Sequence, residues 1–317
     1  LELIPEFVLR QSADTRFLTA RIGNMNKAGD TMRRGLLLCS CLSMLLFLSV
    51  PTLANACTLW AAAGDRVAGG GTLIHKNRDW NPDHQQDLRL VIPKSGFRYL
   101  SLYTTGNDWV GTKAGVNSEG LVIVTASAPV HLDKKVNFQG KTNTATLLSR
   151  YESVDAALKA LEADKWKSGP QFIIMADKSE IATIEFGLNG QHAVLSRLTN
   201  GTMFHTNHYL SDDLSDLNPE KISASSLKRY AKINEMLNSK DVLDRDDSIS
   251  FSKNPVLWRV GSTPTSVRTL SAWTVRHYSD GHSTLHLIMS NPGMPETSYE
   301  IPLVDAFSGK YDVTSVR

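Results

Sequence analysis

The sequence predicts an α+β protein built from two antiparallel sheets packed face to face, with helices on the outside. Three observations carry that expectation. The chain after residue 57 is cut into short apolar, β-branched or alternating runs bounded by Gly, Pro, Asn and Asp. Helical spacing appears in two segments, 153–164 and 225–238. The stretch 271–290 alternates on both sides of Asp280-Gly281, a strong hairpin pattern. No repeat or low-complexity linker interrupts residues 57–317, which read as one domain.

Taken in order, CTLWAAAG is short and apolar, and DRVAGGG after it is a flexible turn. TLIHKNRDW (72–80) reads as a strand running into a loop that Pro82 closes. LRLVIP (88–93), YLSLYTT (99–105) and WVGTKAGVN (109–117) are further strands, and GLVIVTASA (120–128) has the β-branched density of a buried one. In 153–164, Ser153 is a good N-cap, and Val154, Ala157, Leu158 and Leu161 form one apolar stripe. QFIIMADKSEIATIEFG (171–187) reads as two strands around the turn Asp177-Lys178-Ser179. HAVLSRL and GTMFHTNHYL continue the sheet, and SSLKRYAKINEMLN (225–238) is an amphipathic helix. Asp212-Asp213 and Asp244 to Asp247 read as solvated loops.

Composition excludes several classes. The 317 residues are 41% hydrophobic and 21% charged, with a formal net charge of +2 and no basic stripe, so nothing marks a nucleic-acid surface. Gly69-Gly70-Gly71 lacks the Lys and the helix of a phosphate loop. His205 and His208 lie three apart in a strand-like segment that would aim them apart, which argues against zinc. The sequence implies neither a metal nor a cofactor.

The start of the chain has a targeting signature. Met32-Arg33-Arg34 is a positive n-region, residues 35–50 are an apolar h-region, and Ala54-Asn55-Ala56 is an A-x-A cleavage site. Residues 32–56 therefore read as a signal peptide and 1–31 as an upstream extension outside the fold. The expected location is the periplasm or the exterior, with no membrane attachment once processed. Of the three cysteines, Cys39 and Cys41 leave with the signal. Cys57 remains alone, so no internal disulfide is possible, and it becomes the first residue of the mature chain.

That position gives one residue both a thiol and a free α-amine. A thiol needs a base to act as a nucleophile, and an α-amine with a pKa of about 8 is partly neutral near pH 7. It can take the thiol proton and return it to a leaving amine. Export processing would itself create the catalytic site.

The residues here resemble a family. The Cys-Thr start, KNRDW at 76–80, NSEGL at 117–121, HTNHYL at 205–210 and SSLKRY at 225–230 follow one another as in choloylglycine hydrolases, penicillin V acylases and the penicillin acyltransferase group. These are N-terminal-nucleophile (Ntn) hydrolases, and the resemblance implies their αββα sandwich. It implies Cys57 as nucleophile and Asp79 as the group that orients the α-amine. It also implies Asn207 as a side-chain donor to the oxyanion and Arg229 as electrostatic support. Lys76 stands where the bile-salt enzymes usually carry Arg, and Arg78 is the other candidate for that cation. Arg78, Trp80 and Ser127 are the expected substrate contacts. Ser127 occupies the place of an oxyanion-hole Asn in bile-salt hydrolases, which leaves a backbone N–H or the Ser hydroxyl as second donor. Positions 76 and 79 face opposite sides of an ideal strand, so both reach Cys57 only if the strand bulges or ends between them.

Taken alone, KNRDW also fits a solvated turn with a core Trp, Asn207 a strand-end contact, and Arg229 a surface charge. The expected function is an exported cysteine amidase acting on a linear, non-peptide amide with an apolar acyl group. Its partner is that small molecule, and homo-oligomerisation stays open. Acyl transfer to an amine instead of water is the near alternative, since the acyl-enzyme is shared. A different class, a binding lipoprotein anchored through a diacylated Cys57, is the distant one.

Overall fold

The computed structural model describes residues 56–106, 110–129 and 143–313, all within one compact unit. The upstream extension, the signal segment except Ala56, and Trp109 of the third expected strand lie outside the described residues.

Among the described residues, thirteen strands form two antiparallel sheets. The six-stranded sheet has the order β10-β1-β2-β11-β12-β13. Its strands are β1 (Thr58–Ala63), β2 (Thr72–Trp80), β10 (Gly201–His205), β11 (Arg268–His277), β12 (Ser283–Met289) and β13 (Thr297–Pro302). The seven-stranded sheet runs β3 to β9 in sequence order. It comprises β3 (Gln85–Val91), β4 (Tyr99–Thr105), β5 (Gly111–Asn117), β6 (Val122–Ser127), β7 (Gln171–Ala176), β8 (Ile181–Phe186) and β9 (His192–Leu198). The expected strands 72–80 and 99–105 have those bounds, and the 271–290 hairpin is β11–β12. HAVLSRL and GTMFHTNHYL do not continue one sheet. β9 is the last strand of the seven-stranded sheet, and β10 crosses to the edge of the other beside β1.

Period-two alternation builds the layers. Leu59, Ala61 and Ile74 from one sheet meet Leu100, Leu102, Val122, Val124, Phe172 and Ile174 from the other in the central core. The opposite faces of the same strands are also apolar. Ile123, Ile173, Met175 and Ile184 pack under α1 (Thr144–Arg150) and α2 (Val154–Glu162). Trp60, Ala62 and Leu73 pack under α3 (Ala224–Asn238) and α4 (Arg245–Ser252). The result is the expected αββα sandwich, closed at the chain end by α5 (Leu303–Ser308). Ser153 caps α2 as its sequence implied, accepting from the Ala156 N–H at 3.1 Å.

One loop reading is corrected. Asp244 to Asp247 is the start of α4, because Asp244 and Asp247 form a reciprocal capping box that satisfies two helix-end N–H groups. Aspartate disfavours helix interiors but favours their first turn.

The NSEGL motif has a structural role. Asn117 Oδ1 accepts from the N–H groups of Glu119, Gly120 and Leu121 at 3.1, 3.0 and 2.9 Å. Its Nδ2 donates to Leu148 O and Tyr151 O at 2.8 and 2.7 Å, tying the turn to the end of α1. Gly120 in that turn has φ +106, which a side chain would strain. Asn117 is 1% exposed, so Asn117→Ala strands several buried groups without water to replace the amide. We expect it to cost about 3 kcal/mol in denaturant unfolding. Any activity per folded molecule should stay unchanged, because the sheet end carrying Cys57 is the opposite one.

Candidate active site

Sheet register assembles the site. β1 pairs with β10 up to Leu59 opposite His205, and two residues beyond the end of that ladder Arg229 bridges Cys57 O and Asn207 Oδ1. On its other side β1 pairs with β2, Thr58 opposite Asn77, which sets Cys57 beside Arg78. A residue just ahead of the first strand thus gains neighbours about 20 and about 150 residues away with no special loop.

Cys57 is buried in the inter-sheet core at 4% exposure, and its thiol lies 4.0 Å from the Asp79 main-chain O. Lys76 and Arg78 share the parity of core residue Ile74 and so reach into the same layer. Lys76 Nζ donates to Lys113 O at 2.9 Å and to Thr125 O. Arg78 donates to Thr104 Oγ1 at 3.3 Å, and His84 Nδ1 also lies 3.3 Å from its guanidinium. The charges of both act on Cys57, so Lys76 and Arg78 are jointly its cationic neighbours. Burial lowers Lys76 to about 8 and Arg78 to about 10. Trp80 is half-buried, with its Nε1–H on His84 Nε2 at 3.2 Å and its ring 5.3 Å from the Arg78 guanidinium carbon.

Asp79 has the opposite parity. The pairing of β2 with β11 shifts between Thr269 and Ser271, opposite Asp79 and Arg78. The extra residue, Leu270, lies on β11, so β2 keeps its alternation through 76–79, and Asp79 turns its side chain to Thr269 while its main-chain O faces the Cys57 thiol. Thr269 Oγ1 donates to Asp79 Oδ1 at 2.6 Å, whereas Oδ2 has no hydrogen-bond partner among the described residues. Burial lifts Asp79 to about 6, against the pull of Arg229.

Helix α3 organises the rest. Ser226 and Arg229 are three apart and lie on one face. Ser226 Oγ accepts the Asn207 backbone N–H at 2.9 Å. Arg229 donates to Asn207 Oδ1 at 2.9 Å and also to Cys57 O. With Oδ1 held by a cation, Asn207 must present Nδ2 as a donor. One Nδ2 contact goes to Ser127 O at 2.9 Å. Ser127 therefore meets Asn207 through a carbonyl acceptor. Arg229 is 1% exposed, which replaces the surface-charge reading of that position.

Sequence reasoning missed four contributors. Thr269 holds Asp79. Ser226 holds the Asn207 backbone. Lys113 is half-buried, brought down to about 7 by desolvation, and feels the charges of Arg78, Lys76 and Cys57. Arg259 exchanges backbone contacts with Thr269 and acts electrostatically on Asp79. Only Ser226 had a local signal, as a member of SSLKRY. The two histidines are occupied elsewhere: His205 with Glu185 at 2.8 Å and His208 with Ser226 Oγ at 2.9 Å. No cluster of metal-binding side chains occurs among the described residues.

An αββα sandwich with this cluster at the head of β1 defines the class of fold as that of the Ntn hydrolases. A family model described as acyl-coenzyme A:6-aminopenicillanic acid acyl-transferase matches residues 67–296, and the chain belongs to that family. The matched span includes Lys76 to Trp80, Asn207 and Arg229, and begins after Cys57. A variant of conjugated bile acid hydrolase from Clostridium perfringens has a similar fold at 14% identity, over 82% of this chain and 95% of that one, with a TM-score of 0.52. A second variant of that enzyme aligns at 15% identity, over 83% and 95%, with a TM-score of 0.48. A Caenorhabditis elegans ortholog of N-acylethanolamine-hydrolyzing acid amidase aligns at 12%, over 68% and 91%, with a TM-score of 0.46. No curated protein matches by sequence.

The raised Asp79 has a consequence for stability. Between 3.8 and about 6 the folded chain keeps a proton on Asp79 that the unfolded chain has released. This group therefore favours folding less as pH rises through that window. Asp79→Asn keeps the acceptor for Thr269 and removes the buried charge. Its melting temperature relative to the parent should rise between about pH 4 and about pH 7, as read by calorimetry.

Proposed function

We propose that the protein is an exported cysteine amidase of the Ntn-hydrolase type, with Cys57 as nucleophile after removal of residues 32–56. The observation that carries this reading is the Arg229 guanidinium, which binds Cys57 O and Asn207 Oδ1 together and so ties the Cys57 main chain to an amide whose other group is the Nδ2 donor. A structural cysteine has no need of a buried arginine on its own carbonyl.

In this reading the α-amine accepts the Cys57 thiol proton as Sγ bonds to the amide carbonyl carbon. Charge develops on the carbonyl oxygen, and Asn207 Nδ2 donates to it. The C–N bond then breaks, the α-ammonium returns the proton to the leaving amine, and a thioester on Cys57 remains. Water attacks the thioester, giving a proton to the α-amine, and the thiol is regenerated. Lys76, Arg78, Lys113 and Arg229 each interact electrostatically with Cys57. Asp79 ionises near pH 6 and stabilises the α-ammonium, with Oδ2 available for it. kcat/KM should therefore rise through about pH 6.

The substrate is a linear, non-peptide amide with an apolar acyl group, consistent with the apolar layer around Cys57. The family model is described by an acyl transfer, so an amine acceptor in place of water is the second reading. Burial of Cys57 at 4% exposure speaks against a lipid anchor, because a thioether-linked lipid would have to leave the core.

The test is N-terminal sequencing of secreted protein, followed by an amide panel with and without amine acceptors. The expected N-terminus is Cys57, and an active protein beginning elsewhere would sink the α-amine mechanism. Cys57→Ser should fold and lose most activity, since a hydroxyl ionises far less readily than a thiol. Asn207→Ala should lower kcat by roughly 10²–10³ with little change in KM, the scale for one lost oxyanion donor. An Asn207 that only braces the loop would instead reduce stability and leave kcat per folded molecule unchanged.

A further inference from the structure

Glu185 is a buried carboxylate that the chemistry above does not use. It lies in β8 of the seven-stranded sheet and is 0% exposed. Its three partners belong to the segment that carries Asn207. His205 Nε2 lies 2.8 Å from Oε1, the Leu210 N–H donates to Oε1 at 2.6 Å, and the Ser211 N–H donates to Oε2 at 3.0 Å. One side chain thus grips the chain two residues before Asn207 and again three and four residues after it, from the opposite sheet.

The neighbouring contacts act in the same direction. His205 Nδ1 faces Thr206 O at 3.0 Å. Both ring nitrogens therefore face oxygens, one on the Glu185 carboxyl and one on the main chain, which fixes the ring orientation. Phe172 lies tilted against His205 with ring centroids 4.0 Å apart and meets Tyr209 edge-on at 4.9 Å. The Tyr209 hydroxyl donates to Phe186 O, beside Glu185, at 2.9 Å. On the other side α3 holds Asn207 through Ser226 and Arg229. The segment 205–211 leaves its strand at His205, so no ladder fixes Asn207.

We propose that Glu185 is a positioning residue for the reaction: with His205 it clamps the 205–211 segment so that Asn207 Nδ2 points at the oxyanion. This rests on the reading of Asn207 as oxyanion donor. An unpaired buried carboxylate would be costly, and spending one here makes sense if the placement must hold to a fraction of an ångström. Arg229 sets which atom of the Asn207 amide faces the substrate. Glu185 sets where that amide stands relative to Cys57.

A double-mutant cycle tests it, using mature protein and hydrolysis of a fatty-acyl p-nitroanilide. Glu185→Gln keeps the size but replaces one acceptor oxygen by an NH₂ facing a donor. Its kcat should fall by roughly 10- to 10²-fold with KM unchanged. In an Asn207→Ala background the same change should lower kcat no further, because the donor it positions is gone. A folded Glu185→Gln protein with parental kcat, or losses that multiply in the double variant, would overturn the clamp. Glu185→Asp, which retains the charge but is one methylene shorter, carries the same cycle if the Gln variant does not fold. The two readings fail separately. Parental kcat in Asn207→Ala alone removes the oxyanion role and the clamp with it, whereas loss there without loss in Glu185→Gln removes only the clamp.

Discussion

The arrangement depends on one buried guanidinium. Arg229 comes from a helix outside the six-stranded sheet, yet its donors reach the main chain of Cys57 and the side chain of Asn207. It joins α3, the head of β1 and the end of β10 at one point. Burying such a charge is expensive unless its hydrogen-bonding groups and its field are answered. Three acceptors, Cys57 O, Thr58 Oγ1 and Asn207 Oδ1, and the nearby Asp79 carboxylate answer most of it here, while Nε has no partner among the described residues. Any shift of α3 would move the thiol backbone and the amide together, so their relation to each other is kept.

The second sheet supplies mostly acceptors. Lys113 O and Thr125 O take the Lys76 ammonium, Ser127 O takes the Asn207 amide, and Glu185 takes the loop that carries it. The first sheet supplies Lys76, Arg78 and Asp79, and the second adds the charge of Lys113. Sandwiching the two lets cations stand in an apolar layer at a cost visible in their lowered pKa values, Lys76 to about 8 and Lys113 to about 7. Such a cluster lowers stability where it sits. The apolar layers on both sides of each sheet offset it.

Much of the fold was legible because period-two alternation is a local signal. Strands 72–80 and 99–105, the hairpin, and the Ser153-capped helix followed from residue spacing alone. Helices α1 and α4 and strand β13 did not. TATLLSR is short, α4 begins with aspartates that also suit loops, and TSYEIP is an edge strand with little apolar content. The site divides in the same way. Lys76, Arg78 and Asp79 form one cluster in one strand, but the irregularity opposite Asp79 falls on β11 and not within 76–79, where the spacing argument looked for it. Arg229 looked like a surface charge because helix amphipathicity does not reveal a buried cation that has partners on another element. Thr269, Lys113 and Glu185 reach the site only through tertiary contacts, at separations of 190, 37 and 20 to 26 residues, and no local pattern encodes them.

The central claim is that the Cys57 thiol carries the acyl group. The direct measurement is intact-protein mass spectrometry of secreted, mature protein mixed with an amide and quenched in acid within a turnover, followed by peptide mapping. The account predicts a chain beginning at Cys57, heavier by the acyl group with loss of the amine, with that mass on Cys57 and removable by neutral hydroxylamine as a thioester. Turnover with no covalent adduct under any quench time, or an adduct on another residue, would contradict it.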